Sequence, residues 1–322
     1  MAIPADKRYY YKLKAAQLYY IENRRQKDIT DILHISKPTL IALLKEAVDE
    51  GIVHIEIRNL KNSQLFFELE SQLRNALNID DVLIAKRDKA ENISHSLCAL
   101  LAQHLATILK PKLKIGFGWG RTLSVLSSFL EPQRNIYELQ LIPLMGQPER
   151  NAGSNMASNS LCDIIAQKYQ RCSVDYFSLP LILRSNVNTK QLKELPDVQE
   201  ILNKMDDLDM AIVGIDSDPK TSTFLFTEQV GVEFLDELIS KGVVGNICSH
   251  FININGDIVN TSLDERIMAI TPQQLKRIPQ VIGVAGGSDK VRSIIGGAKT
   301  GIFNMLITDE ITAQEILKTL DS

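Results

Sequence analysis

Three glycines spaced two residues apart lie in the stretch KIGFGWGRTLS, whose pattern predicts a strand, a loop and a helix. Gly116, Gly118 and Gly120 allow tight turns with open backbone N–H groups, and Thr122 stands where the helix is predicted to begin. Backbone N–H groups and the positive end of a helix dipole both favour an anion. The stretch is neither a Walker motif nor a complete G-x-G-x-x-G fingerprint. It therefore indicates either an anion site or simply a tight strand-to-helix turn.

A lysine follows a second pair of glycines near the other end of the chain. In VAGGSDKVRSII, Gly286 and Gly287 follow a predicted strand, and Lys290 lies in the first turn of a predicted helix. A cation gains nothing from the helix dipole at that end. Lys290 therefore either serves an anionic ligand or points into solvent. Further on, Asp309 and Glu310 are predicted to cap the last helix.

These residues need a scaffold, and the pattern from about residue 80 onward predicts one. Apolar strand-like runs alternate with helix-like segments, which is typical of a parallel sheet covered by helices on both faces. Ligands bind such sheets at the carboxyl ends of the strands. A leucine stripe at Leu65, Leu69, Leu73 and Leu77 predicts a helix that leads into this domain, and it serves either the core or a contact with another subunit. The predicted strands are DDVLIA, KLKIGF, LQLIPLM, VDYFSLPLI, DMAIVGI, VVGNICSHF, VIGVAGG and NMLITD.

The first 58 residues follow a different pattern, that of a helix-turn-helix. The segment YYKLKAAQLYYIENR predicts a first helix with Leu13, Ala16, Leu18 and Tyr20 on one side. QKDITDILH and KPTLIALLKEAVDEG predict two further helices, with Ser36 as N-cap, Pro38 in the first turn and Gly51 as the stop. Helix three would carry Leu40, Leu43, Leu44, Ala47 and Val48 inward, and IVHIEI would form a wing.

This pattern favours a DNA-binding head over a helical packing or dimerisation module. The third helix would be the recognition helix, whose N-terminal end enters the major groove. Amides, hydroxyls and ammonium groups at that end suit phosphates and base edges. The candidate DNA contacts are Gln26, Ser36, Lys37, Thr39 and Lys45.

Composition agrees with a two-domain protein of 322 residues, with 44% hydrophobic and 23% charged residues. The sequence has neither a membrane-length apolar run nor a secretory signal, which predicts a cytoplasmic protein. The four cysteines have no metal-site spacing and are interpreted as free thiols, with no metal site. Residues 1–60 hold ten Lys and Arg against eight Asp and Glu, a net charge of +2, and the remainder carries −5. A weakly basic head on an acidic body suits contact with DNA.

Several motifs together resemble the SorC family of bacterial transcription factors, the sorbitol operon regulators. The resemblance begins at KAAQLYYIENRRQKDITDILHISKPTLIALLKEAVDEGIV. It continues, in order, through IGFGWGRTL, IPLMG, GVVGNICSHFININGDIV and VAGGSDKVRSIIGGAKTGIFNMLITDE. It implies a helix-turn-helix domain over residues 1–58 and an effector and oligomerisation domain over residues 59–322. That second domain would have the Rossmann-like fold of sugar-phosphate isomerases and deaminases.

The resemblance also implies partners and ligand residues. The partners would be operator DNA, a phosphorylated sugar or polyol as effector, and further copies of the chain as a dimer or tetramer, with no cofactor. The GWGRT loop and Lys290 would hold the phosphate, and the GNICSHFININGD segment would face the sugar. The implied effector-binding residues are Gly118, Gly120, Arg121, Thr122, Gly146, Asn246, His250, Asn253 and Lys290.

The chain departs from the family pattern at two places. Asn246, His250 and Asn253 stand where the family usually has Asp, Arg and Asp, which removes fixed charge and changes the expected ligand contacts. Ile41 and Ala42 stand where a polar or basic pair is usual, which removes two expected DNA contacts.

An enzyme with the same fold, such as a sugar-phosphate isomerase, aldolase or deaminase, is the alternative. Such chemistry needs a positioned base or a reactive lysine. No carboxylate pair accompanies Lys290 in a motif, and His250 is the one histidine near the expected site. An enzyme also gives no reason for the head, so the sequence predicts a regulator without catalytic residues.

Overall fold

The computed structural model describes residues 5–54, 66–87, 92–148, 157–222 and 230–321. By its internal contacts the chain divides into two compact units, Met1–Gln64 and Leu65–Ser322. The predicted boundary between residues 58 and 59 lies outside the described residues.

The first unit is a bundle of three helices. Helix α1 (Ala5–Ala16) continues into a π-helical turn (Gln17–Ile21), and α2 (Gln26–Leu33) and α3 (Lys37–Asp49) follow. α3 packs against both α1 and α2. The core is made by Ala15, Leu18, Ile29, Leu33, Leu40, Leu43 and Leu44.

Three apolar residues that were predicted to lie on the inward side are exposed instead. Leu13, in α1, is 41% exposed, and Val48, at the edge of the apolar stripe on α3, is 38% exposed. Tyr20 is 37% exposed, because the π-helical turn adds a residue and changes the phase of the buried face.

The predicted signals at the ends of α2 and α3 are confirmed. Ser36 caps α3 by accepting the Thr39 N–H at 3.3 Å, and Pro38 lies in the first turn. His34 ends α2 in the left-handed region, and Gly51 follows α3 with φ of 71°. A turn of three residues thus joins the two helices. Of the predicted wing, Ile52 and Val53 lie in a bend, and the part from residue 55 onward lies outside the described residues.

An ion-pair cluster joins α1 to α3. The Arg8 guanidinium donates to Glu46, and the Lys12 ammonium contacts both Glu46, at 3.3 Å, and Glu50. Lys12 is only 5% exposed. The hydrogen bond from Arg8, together with Lys12, lowers the pKa of Glu46 to about 2. Glu46, in the C-terminal half of α3, therefore stabilises the packing of α3 against α1.

The second unit is built on a seven-stranded parallel sheet. Its outer strand β1 (Asp81–Ala85) pairs with the last strand, and the order is β1-β9-β8-β5-β2-β3-β4. The other six strands are β2 (Lys114–Phe117), β3 (Gln140–Pro143), β4 (Ser173–Val174), β5 (Met210–Gly214), β8 (Gln280–Val284) and β9 (Met305–Asp309). The central strands are almost wholly buried, as helical layers on both faces require.

Helices cover the sheet, and the buried hydrophobic residues form two large clusters. They are α4 (Phe67–Leu77), α5 (Ile93–Ile108), α6 (Ser158–Ala166), α7 (Thr189–Lys193), α8 (Pro196–Lys204), α9 (Val232–Ser240), α10 (Pro272–Leu275), α11 (Val291–Thr300) and α12 (Glu310–Leu320). The Asp309 carboxylate caps α12 through the N–H groups of Ile311 and Thr312, which confirms the predicted cap. Among the described residues no helix is long and apolar enough to cross a membrane.

Three predicted elements differ in the structure. The segment VVGNICSHF is not in the parallel sheet, because β6 (Val243–Ile247) turns back directly and pairs antiparallel with β7 (His250–Asn253). VDYFSLPLI contributes only its first residue, Val174, to the short β4. RTLSVLSSFL forms a 3-10 helix (Leu123–Ser128) rather than an α-helix.

The leucine stripe of α4 belongs mainly to the core. Leu73 and Leu77 are buried, and α4 packs against α12 and β1. Leu69 is partly buried against the same core, and Leu65 lies outside the described residues.

Candidate functional site

A pocket of about 330 Å³ opens at the carboxyl ends of three adjacent strands, β8, β5 and β2. The loops that leave these strands form its walls, and the β6–β7 turn and the start of α5 complete it. Parallel sheets bind small molecules at this edge. The polar and charged lining residues are Asn92, Ser94, Trp119, Arg121, Thr122, Asp216, Asn246, Ser249, Asp289 and Lys290.

Two cations line the pocket. Lys290 ends a 3-10 turn (Ser288–Lys290) directly before α11, and its ammonium donates to the Ile215 carbonyl at 2.7 Å. Burial lowers its pKa, with Asp216 and Asp289 opposing that shift and Arg121 adding to it. Arg121 is exposed beside Gly120. A partly desolvated ammonium next to a guanidinium favours an anion, because the anion restores the interactions that water would supply.

A carboxylate lies on the same pocket wall. Asp216 accepts hydrogen bonds from the Ser217 N–H at 3.0 Å, the Ser222 hydroxyl at 2.5 Å and the Asn246 amide at 3.3 Å. It follows β5 directly, at the strand end where ligand residues collect. The pocket therefore combines positive charge with a fixed acceptor, which suits a ligand that carries both an anion and hydroxyl groups. The sequence interpretation missed Asp216, although its place after DMAIVGI was the signal that could have revealed it.

A strained turn forms part of the pocket wall. The two residues that join β6 to β7, Cys248 and Ser249, have φ of 49° and 64°. Two-residue hairpin turns with two positive φ angles usually contain Asn and Gly, because other side chains are unfavourable there. Such strain persists where surrounding structure enforces it and is often found at binding sites.

Two buried polar atoms of pocket-lining residues have no hydrogen-bond partner within the described part of the chain. They are the indole nitrogen of Trp119, which is 9% exposed, and the hydroxyl of Ser249, which is 1% exposed. Both residues line the pocket. An unpartnered buried polar group costs about 1–3 kcal/mol, so a ligand that bonds these atoms gains that free energy. Neither residue could be singled out from the sequence, because hydrogen-bond satisfaction depends on tertiary contacts.

The structure brings together five of the nine residues predicted to bind the effector. Gly120, Arg121, Thr122, Asn246 and Lys290 all line the pocket. Gly120 has φ of 139°, which only glycine adopts readily. One part of the physical argument is corrected: a six-residue 3-10 turn follows Thr122, so the dipole of a long α-helix does not act there.

Two of the predicted glycines lie outside the pocket. The Gly118 N–H donates to the Ile212 carbonyl at 2.9 Å, which joins the glycine loop to β5. The Gly146 N–H donates to Met268, and a Cβ at this position would lie 2.7 Å from the carbonyls of Leu179 and Pro180. Gly146 therefore serves close backbone packing, whereas a Cβ at Gly118 would meet its nearest atoms at 3.6 Å, an ordinary contact. The N–H groups of both glycines are engaged within the protein.

His250 and Asn253, in β7, also lie outside the pocket lining. The His250 Nε2–H donates to the Ile270 carbonyl at 2.7 Å, and burial lowers the pKa of the imidazole. The Asn253 side chain bonds Asp257 and the backbone of the following turn. The antiparallel pairing with β6 turns β7 away from the carboxyl ends of the parallel strands. Both side chains therefore contact the β6–β7 hairpin and its neighbours rather than the pocket.

The five candidate DNA contacts lie in the first unit, at the surface or partly buried. Lys37 and Lys45 are exposed on α3, and Gln26 begins α2. Ser36 and Thr39 bond each other through their hydroxyl groups at 2.8 Å, so both are already engaged in the cap. Lysines at the start of an exposed helix suit phosphate contacts.

The described residues contain no group of three or more His, Cys, Asp or Glu that could hold a metal ion. All four cysteines are free, and Cys98, Cys162 and Cys248 are buried. Burial raises the pKa of the Cys98 and Cys248 thiols to about 12, so neither is a reactive nucleophile at neutral pH.

Comparison with known proteins gives one consistent result. A family model described as "Putative sugar-binding domain" matches residues 61–318. The sorbitol operon regulator of Klebsiella pneumoniae is 29% identical over 310 residues, which cover 95% of this chain and 97% of that protein. The transcriptional regulator LsrR of Escherichia coli (strain K12) is 28% identical over 313 residues, 95% of this chain and 94% of LsrR.

Solved structures give the same picture. The crystal structure of the full-length sorbitol operon regulator SorC from Klebsiella pneumoniae matches with a TM-score of 0.72 and 28% identity. The match covers 96% of this chain and 98% of SorC. The predicted resemblance to the SorC family and the α/β fold class are confirmed.

Proposed function

We propose that this chain, which belongs to the sugar-binding-domain family whose model matches residues 61–318, is a transcriptional regulator. It binds operator DNA under the control of a phosphorylated sugar or polyol. The observation that carries the proposal is the pocket in which Lys290 and Arg121 lie beside Asp216, in the same chain as a capped helix–turn–helix segment. The relatives are named as transcriptional regulators, which favours this function over the enzyme alternative.

The phosphate of the effector binds Lys290 and Arg121. These cations stand together, and the lowered pKa of Lys290 reflects desolvation that an anion relieves. The sugar hydroxyls bind Asp216 and Asn246, and they also reach the Trp119 indole N–H and the Ser249 hydroxyl. A volume of about 330 Å³ is at the small end of the range for ligand sites and suits one monosaccharide.

The pocket gives no residue a clear role as a catalytic base. Asp216 already accepts three hydrogen bonds, which fix the position of its side chain. Lys290 donates to a backbone carbonyl, and the His250 imidazole lies outside the lining. These contacts suit binding rather than proton transfer.

The first unit reads DNA through α3, with Lys37 and Lys45 on phosphates. One such unit offers few phosphate contacts, so tight binding to a specific sequence requires at least two copies. We therefore expect a homodimer or homotetramer that acts in the cytoplasm on a two-fold related operator upstream of a carbohydrate operon.

The test uses the full-length protein throughout. Duplexes are enriched from a randomised DNA library, and their affinity is measured by fluorescence anisotropy with and without a panel of sugars, polyols and their phosphate esters. A phosphate ester should change DNA affinity, and the matching free sugar should not. Lys37→Ala should weaken DNA binding but leave effector binding intact, and Lys290→Ala should do the reverse.

Two results would overturn this proposal. One is a library in which no sequence is enriched, which would remove the DNA-binding function. The other is a free polyol that binds as tightly as its phosphate ester, which would remove the anion site and leave Lys290 without the role assigned to it.

A further inference from the structure

The exposed face of α3 is apolar over its first half. Pro38, Ile41, Ala42 and Lys45 follow each other at helical spacing on the side opposite the buried leucines. Ile41 is 50% exposed, and Ala42 beside it is also exposed. A branched apolar side chain therefore occupies the centre of the surface that a recognition helix turns toward DNA.

The polar side chains of α3 offer little direct base readout. The helix, KPTLIALLKEAVD, contains no Arg, Asn or Gln, and its lysines are the only side chains in it that can bond a purine through two hydrogen bonds. The Thr39 hydroxyl bonds Ser36, and Glu46 bonds Arg8 and Lys12. Lys37 and Lys45 remain, and each can contact either a phosphate or a guanine. Hydrogen bonds from α3 alone therefore leave most of the base sequence unread.

Apolar contact is the alternative way to read the major groove. The C5-methyl group of thymine is the apolar feature that the groove presents, and side chains such as alanine contact it. On the proposed function of this unit, we infer that Ile41 and Ala42 recognise thymine through its methyl group. Each operator half-site then contains a thymine at the position these residues face, which is needed for its methyl group and not for its hydrogen bonds.

Deoxyuridine tests this directly, because it pairs as thymine does and lacks only the methyl group. The probe is a duplex enriched from a randomised library with the full-length protein, in which each thymine is replaced in turn by deoxyuridine. At one or two positions per half-site, binding should weaken about three- to fivefold, as expected for one buried methyl group. At the other thymines the affinity should stay unchanged.

The variant Ile41→Ala connects the effect to this side chain. Its affinity for the thymine duplex should fall, and at the sensitive position it should bind the thymine and deoxyuridine duplexes alike. Val48→Ala is the matched control, since Val48 is 38% exposed on the same helix seven residues later. Seven residues place it about 10 Å further along the axis, away from the N-terminal end. It should keep the full deoxyuridine effect.

The wild-type measurement decides the inference even if a variant is poorly folded. An enriched duplex in which no deoxyuridine weakens binding would overturn methyl readout and leave the DNA-binding function standing. A deoxyuridine effect that persists unchanged in Ile41→Ala and in Ala42→Gly would assign the methyl group to another residue and also overturn it. If no duplex is enriched at all, both the inference and the DNA-binding function fail.

Discussion

Replacing Ser249 should stabilise the protein and weaken effector binding at the same time. Ser249 has φ of 64°, and its hydroxyl is buried without a partner in the described residues. Ser249→Ala removes the hydroxyl and keeps the left-handed backbone. Ser249→Gly removes the hydroxyl and also the Cβ that makes this backbone unfavourable.

The magnitudes follow from these two features. Loss of an unpartnered buried hydroxyl should stabilise by about 1–3 kcal/mol, less some lost packing. Relief of the left-handed conformation contributes about 1–2 kcal/mol, and the entropy of glycine offsets about 0.5–1 kcal/mol. Ser249→Gly should therefore exceed Ser249→Ala by roughly 1 kcal/mol, which is about 2–4 °C in Tm for a unit of this size.

Differential scanning calorimetry without ligand measures the stability, and the same scans with the active sugar phosphate measure binding. Both variants should melt higher than wild type alone and gain less Tm from the ligand. A Ser249→Gly protein that melts lower than wild type would show that the turn is not strained. Equal ligand-induced shifts in all three proteins would show that the hydroxyl does not contact the effector.

Two further predictions concern pH. The pKa of Glu46 is lowered from 4.5 to about 2, so its ion pairs stabilise the first unit above pH 4.5 and are lost as the pH falls from 4.5 through 2. In thermal melts followed by circular dichroism, the Tm difference between wild type and Glu46→Gln should therefore shrink over this window. A constant difference would contradict the assignment. Burial lowers the pKa of Lys290, and a bound anion should raise it again. Binding of a phosphate ester should therefore take up protons and become weaker as the pH rises from neutral to alkaline. Calorimetry should show this pH dependence in wild type but not in Lys290→Arg, whose side chain stays charged.

The fold and part of the pocket follow from local patterns in the sequence. Lys290, Arg121 and Gly120 stand after apolar strands, and parallel strands bring such positions to one edge of the sheet. Cap signals at Ser36 and Asp309 are also local, since the capping side chain and the N–H groups it bonds lie within three residues.

The rest depends on contacts that the sequence does not display. His250 and Asn253 follow an apolar run that looks like a parallel strand, and only the tight Cys248–Ser249 turn reverses the chain. Tyr20 is exposed because of a π-helical turn that has no sequence signal. That the Trp119 indole nitrogen has no partner among the described residues can be seen only when all of its neighbours are known.

Two hydrogen-bonding groups at the pocket wall can contribute to effector binding. Within the described part of the chain, neither the Trp119 N–H nor the Ser249 hydroxyl has a partner, and a hydrogen bond to either one is worth about 1–3 kcal/mol. A ligand shifts a conformational equilibrium only by the difference in its affinity for the two states, and allosteric couplings typically amount to about 1–3 kcal/mol. On the proposed function, a state in which the β6–β7 turn moves would lose the Ser249 bond to the ligand, whereas Trp119 lies in the glycine loop after β2. Because the free energy of that one bond matches a typical coupling, we expect the turn at Cys248 and Ser249 to convert effector binding into a change of state, and we expect Lys290 to supply affinity that is common to every anionic ligand.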